Sequence, residues 1–111
     1  MKTINVPLAA SVNGLRERLE DEAGRRGLNL RKLVGNIYSY AVRNKRLFQH
    51  PLANPRAKGG RHIGATVSDQ VERELTKWAK EKETKRGNHC RYLLEIALED
   101  DLIDKILETP S

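Results

Sequence analysis

The sequence is poor in the residues that build covalent frameworks and large cores. A single cysteine, Cys90, stands among 111 residues. That excludes an internal disulfide and suits a reducing compartment. One Trp, one Phe and three Tyr supply little aromatic surface to line a deep pocket, so the composition fits a small helical protein with a thin core. No window approaches the ~18 apolar residues of a membrane helix. The opening residues Met1-Lys2-Thr3-Ile4-Asn5-Val6 do not form the apolar stretch of a secretory signal. A cytoplasmic chain with no membrane partner is expected. A half of this length would bury only about 60% of its surface alone, so two halves must share a core.

What the chain does have is positive charge and an internal repeat. The formal net charge is +6, from 21 Lys and Arg against 15 Asp and Glu. A basic balance in a small chain points to a polyanionic partner, usually nucleic acid. The charge is uneven: residues 1–60 hold 12 basic and 4 acidic side chains, residues 61–111 hold 9 and 11. The halves therefore carry +8 and −2.

The repeat is carried by apolar spacing. Ile4, Val6 and Leu8 alternate with Thr3, Asn5 and Pro7, the period of a half-buried strand. Val12, Leu15, Leu19 and Ala23 follow at helical spacing behind Ser11, a candidate cap, and Gly24 and Gly27 stop that helix. Asn29 can cap a second helix with Leu30, Leu33, Val34, Ile37, Tyr38, Ala41 and Val42 on one face. The order then recurs. Ile63, Ala65 and Val67 alternate with His62, Gly64 and Thr66, 59 positions later. Ser68-Asp69 caps a helix bearing Val71, Leu75, Trp78 and Ala79. Arg86-Gly87 matches Arg26-Gly27 at an offset of 60, and Cys90, Leu93, Leu94, Ala97, Leu98 and Leu102 keep that offset. Repeats of this kind bury their apolar faces against one another. The expected organisation is a first repeat over 1–47, a linker over 48–60 containing Pro51 and Pro55, and a second repeat over 61–111. The last helix is read as continuous to Leu107, with Glu95, Glu99, Asp100, Asp101, Asp104 and Glu108 on a solvated acidic face.

One strand per half is unstable alone, because its backbone donors and acceptors need a partner. Antiparallel pairing of the two strands over four helices answers that need. The expected fold is all-α with a short two-stranded antiparallel β-ribbon, and such a ribbon fits the major groove of B-form DNA.

With these residues the sequence resembles the ribbon-helix-helix DNA-binding proteins, the Arc and MetJ repressor superfamily. The resemblance covers residues 2–44 and 61–107. Its carriers are Thr3-Ile4-Asn5-Val6-Pro7-Leu8 with Gly27-Leu28-Asn29, and His62-Ile63-Gly64-Ala65-Thr66-Val67 with Gly87-Asn88-His89. It implies a tandem pseudo-dimer with both ribbon strands in one polypeptide. It further implies that outward strand side chains read bases: Thr3, Asn5, His62 and Thr66. Asn5 suits adenine through its amide, whereas Pro7 and Gly64 offer no donor. A phosphate clamp is implied at the start of each second helix, at Asn29, Leu30 and Arg31 and at Asn88, His89 and Cys90. Arg25, Arg26, Lys32, Lys85, Arg86 and Arg91 surround these points.

Other chemistry finds little support. Cys90 and His89 have no second cysteine or His-x-x-x-His spacing beside them, so no metal is expected. No Gly-rich phosphate loop and no Ser, His and Asp set is present, so no enzyme activity and no cofactor are expected. Trp78 matches Leu19 and is assigned to the core. The expected function is double-stranded DNA binding by a transcriptional regulator, a repressor, with possible self-association on DNA. The alternatives are an accessory factor in plasmid or conjugative DNA processing, and an antitoxin-like protein-interaction module that keeps the fold.

Overall fold

The computed structural model describes residues 2–7, 15–48, 62–84 and 86–108, with backbone alone at 2–7, 15, 62, 63 and 88. Ser11, Val12, Leu8, Lys85 and the linker beyond Phe48, all given roles above, lie outside the described residues. The element order is β1 (Lys2–Pro7), α1 (Leu15–Arg25), α2 (Leu30–Arg43), a 3-10 turn (Lys45–Phe48), β2 (His62–Val67), α3 (Asp69–Glu81), α4 (Arg86–Glu99) and α5 (Ile103–Glu108). The described chain is mostly helical. β1 pairs antiparallel with β2, in the register Thr3 opposite Thr66, Asn5 opposite Gly64 and Pro7 opposite His62.

The helix boundaries follow from capping chemistry. At α2, Asn29 is the N-cap, and its side-chain Oδ1 accepts from the Lys32 amide at 2.7 Å. At α3, Ser68 does the same for the Val71 amide at 3.2 Å. Each satisfies one of the four amides that a helix start leaves without a partner. Past the end of helix α1, Gly27 at φ 68° lets the Leu28 amide reach back to the Ala23 carbonyl at 2.9 Å. This is the six-residue closing bond of a Schellman end.

The second half closes its helices differently from the sequence reading. The left-handed residue after α3 is Glu83, at φ 55°, and the Thr84 amide closes onto Ala79 at 3.0 Å. Gly87, the sequence match of Gly27, therefore lies in the first turn of α4 instead of in the preceding turn. The last helix is also not continuous. Asp101 adopts φ 54°, the Leu102 amide bonds the Ala97 carbonyl at 2.9 Å, and the chain restarts as α5. Two acidic residues accept a conformation that glycine would enter at lower cost, because the closing bonds compensate.

The helices share one core drawn from both halves. Leu19 and Ala23 of α1, Leu33, Val34, Ile37, Tyr38 and Ala41 of α2, and Leu75 and Trp78 of α3 meet Cys90, Leu93, Leu94 and Ala97 of α4. Ala65 and Val67 close it from β2. The Trp78 assignment to the core holds. Phe48, placed at the start of the linker by the sequence, is instead fully buried, with its ring edge-on to Tyr40 at 6.3 Å. Burying one such aromatic is worth about 2–3 kcal/mol, enough to hold the chain after α2 against the core.

Candidate nucleic-acid interface

The sheet presents two unlike faces. Ala65 and Val67 are buried beneath it, while Thr66 between them is exposed. By strand alternation Gly64 shares the side of Thr66. Register sets Thr3 and Asn5 opposite these two residues, and His62 opposite Pro7. Three of the four base-reading candidates are thus placed by backbone position, and the fourth, Thr66, by its exposed side chain as well.

Helix α2 approaches β2 unusually closely, and a glycine permits it. A Cβ on Gly35 would stand 2.8 Å from the carbonyl oxygen of Thr66. One helical turn earlier, on the same side of α2, is Arg31. Its guanidinium lies over Gly64: a Cβ built there would be 2.9 Å from one terminal nitrogen and 3.3 Å from the guanidinium carbon. Close packing at residue 35 and the missing side chain at residue 64 together let a helix side chain reach the exposed side of the sheet.

Beside this contact lies an open groove of about 440 Å³ between α2, the end of β2 and the start of α3. Asn29, Arg31, Lys32, Asn36, Ser39 and Arg43 line its α2 wall, with Thr66, Ser68 and Val71 opposite. The spacing 29, 32, 36, 39, 43 is a helical stripe of polar and basic residues. Asn36, Ser39 and Arg43 were not singled out from sequence, although this 3-4-3-4 spacing was there to find.

The cations differ in their engagement. Arg31 and Lys32 form no ion pair among the described residues and are exposed. Arg25 and Arg26 both pair with Glu22, and Arg26 also with Asp104 of α5. Arg86 donates to Glu72 at 3.2 Å. Leu30, proposed as part of the first clamp, is half-buried against the core.

The second clamp expected from sequence is not built as expected. Because α4 begins at Arg86, its first-turn amides belong to Arg86, Gly87 and Asn88. His89 and Cys90 are already inside the helix and fully buried, and Arg91 is 1% exposed. None of these three side chains can touch a phosphate on the surface. His89 packs edge-on to Trp78, centroids 4.5 Å apart, and near Tyr92 at 6.0 Å. Burial, together with nearby Lys82 and Lys45, lowers its pKa to about 4. Arg91 stands 3.7 Å from Glu95, whose carboxyl is raised by desolvation. Burial likewise pushes the Cys90 thiol up to about 12, so it stays protonated as a small core side chain.

Among the described residues no three His, Cys, Asp or Glu gather as a metal site, and no helix is long and apolar enough to cross a membrane. A scan against protein-family models and searches of curated proteins and solved structures find no match.

Proposed function

We propose that this chain is a tandem ribbon-helix-helix pseudo-dimer that binds double-stranded DNA, with β1 and β2 forming a ribbon in the major groove. Its use is transcriptional regulation, as a repressor that occludes its site. The observation that carries the reading is the antiparallel β1–β2 pair over a shared helical core, with the exposed Arg31 and Lys32, which form no ion pair among the described residues, at its margin. A two-stranded ribbon has the width that the major groove admits. Polar Thr66 on its exposed side, with Asn5 opposite Gly64, suits contact with base edges.

The neighbouring groove supports phosphate docking in the first half. Asn29, Lys32, Ser39 and Arg43 line it beside the N-terminus of α2, where the helix dipole favours an anion. The buried His89 and Arg91 leave the second half with less to offer, so the two halves do unequal work. Copies binding at adjacent sites, in a cytoplasmic setting, fit the same role.

The test is a mobility-shift titration against mixed genomic duplexes at low salt, followed by footprinting of the fragments retained. A protected, asymmetric footprint is expected. No shift at low salt would overturn DNA binding and favour a fold kept for contact with another protein.

A further inference from the structure

We infer that Arg31 is a base-reading residue that α2 lends to the ribbon, filling the place that Gly64 leaves empty and selecting a guanine. The inference rests on the DNA-binding reading above. It departs from the expectation that Arg31 serves the phosphate clamp, and it assigns specificity to a residue outside both strands.

Three observations converge on it. The guanidinium is over Gly64, with its terminal nitrogen, carbon and Nε all within 2.9–3.4 Å of where a Cβ would be. It thus occupies the position from which a strand side chain at 64 would project, opposite Asn5. The placement is set by packing, because Gly35 one turn away brings α2 to 2.8 Å, Cβ to oxygen, from the Thr66 backbone. Finally, the group is exposed and forms no ion pair or hydrogen bond among the described residues. Its N–H donors are left free by the other described residues. A planar fork of this kind matches the O6 and N7 acceptors of guanine in the major groove, the commonest specific contact an arginine makes with DNA.

Among the described residues the arrangement is found once. Arg91 is the sequence counterpart of Arg31 at the offset of 60, and it is buried beside Glu95. The guanine contact therefore falls on one half of the site only, adjoining the position read by Asn5.

The experiment selects preferred duplexes from a random pool with the unaltered protein, then measures binding of four proteins to the preferred duplex and to an unrelated one. The proteins are the unaltered chain, Arg31→Ala, Gly64→Ala and the double variant, each checked for its fold by circular dichroism. Arg31→Ala should weaken the preferred duplex by roughly 5- to 150-fold, leave unrelated DNA nearly unchanged and lose one guanine from a repeated selection. Gly64→Ala keeps the charge but places a methyl 2.9 Å from the guanidinium nitrogen, a flexible neighbour that can swing aside. It should lose the same guanine, and should cost nothing further when Arg31 is already Ala. An equal loss on both duplexes in Arg31→Ala would make Arg31 a phosphate contact and overturn the inference while DNA binding stands. Retention of the guanine in Gly64→Ala would overturn it as well. Failure of the unaltered protein to bind any duplex would overturn the DNA-binding reading and the role of Arg31 with it.

Discussion

Gly35→Ala is the substitution for which intrinsic propensity and tertiary packing predict opposite outcomes. Inside a helix, alanine is favoured over glycine by about 1 kcal/mol. At residue 35 the added methyl would lie 2.8 Å from the Thr66 carbonyl oxygen, about 0.5 Å inside the shortest ordinary C···O contact of ~3.3 Å. The obstacle is backbone in a paired strand, so neither partner can rotate away. Overpacking of this kind costs about 1–3 kcal/mol. Set against the propensity gain, the net expectation is a loss of up to about 2 kcal/mol, or up to roughly 8 °C in Tm for a chain of this size. Gly24 in α1 is the control, because a Cβ there meets nothing within 4 Å. Gly24→Ala should gain about 0.5–1 kcal/mol. Urea unfolding followed by circular dichroism measures both, with an unchanged m-value showing that the same surface is exposed. A Gly35→Ala protein that gains as much stability as Gly24→Ala would refute the close approach of α2 to β2.

Lys32→Ala should weaken binding to all duplexes alike and flatten the slope of log affinity against log salt by about 0.9, as loss of one phosphate contact requires; a loss confined to one sequence would contradict this. Asn29→Ala should cost about 1 kcal/mol through the uncapped Lys32 amide, measured in the same urea unfolding. His89 makes stability depend on pH. Its folded pKa of about 4 is below the ordinary 6.5, so the unfolded chain takes up the proton first, and stability is full above pH 6.5 and falls towards pH 4. The loss approaches about 3 kcal/mol. The raised Glu95 carboxyl acts in the opposite sense, so the measurement is the difference between the parent and His89→Leu, which should vary across that window; a constant difference would show that His89 is solvated.

Much of the fold was legible because it is periodic. The core positions Leu33, Val34, Ile37, Leu75, Trp78, Leu93 and Leu94 follow helical spacing, and Asn29 and Ser68 cap where their side chains predict. The turn at Glu83 was not legible. A glutamate carries no preference for left-handed backbone, so Gly87 drew the boundary to itself in the sequence reading. That shift put His89 and Arg91 at a helix start, where polar side chains belong on the surface, when they are in fact buried. The site was legible in part. Thr66 shows in strand alternation, but the reach of Arg31 depends on two glycines, 29 positions apart, meeting one helix. Gly35 inside an apolar stretch was the available signal, since a glycine within a helix often marks a close approach.

The two strands stand at opposite ends of a long stretch of chain, and this sets an order of assembly. β1 is complete by Pro7, yet its partner begins at His62. A chain emerging during synthesis must carry its first strand unpaired through more than fifty residues, while α1 and α2 can already form by local contacts. The sheet closes only once β2 has followed α1 and α2, and in native-state hydrogen exchange it should be among the first elements to open. A chain synthesised only as far as α2 would have helices but no paired strands. Competence at this surface therefore reports that the two strands, more than fifty residues apart, have been made and brought together.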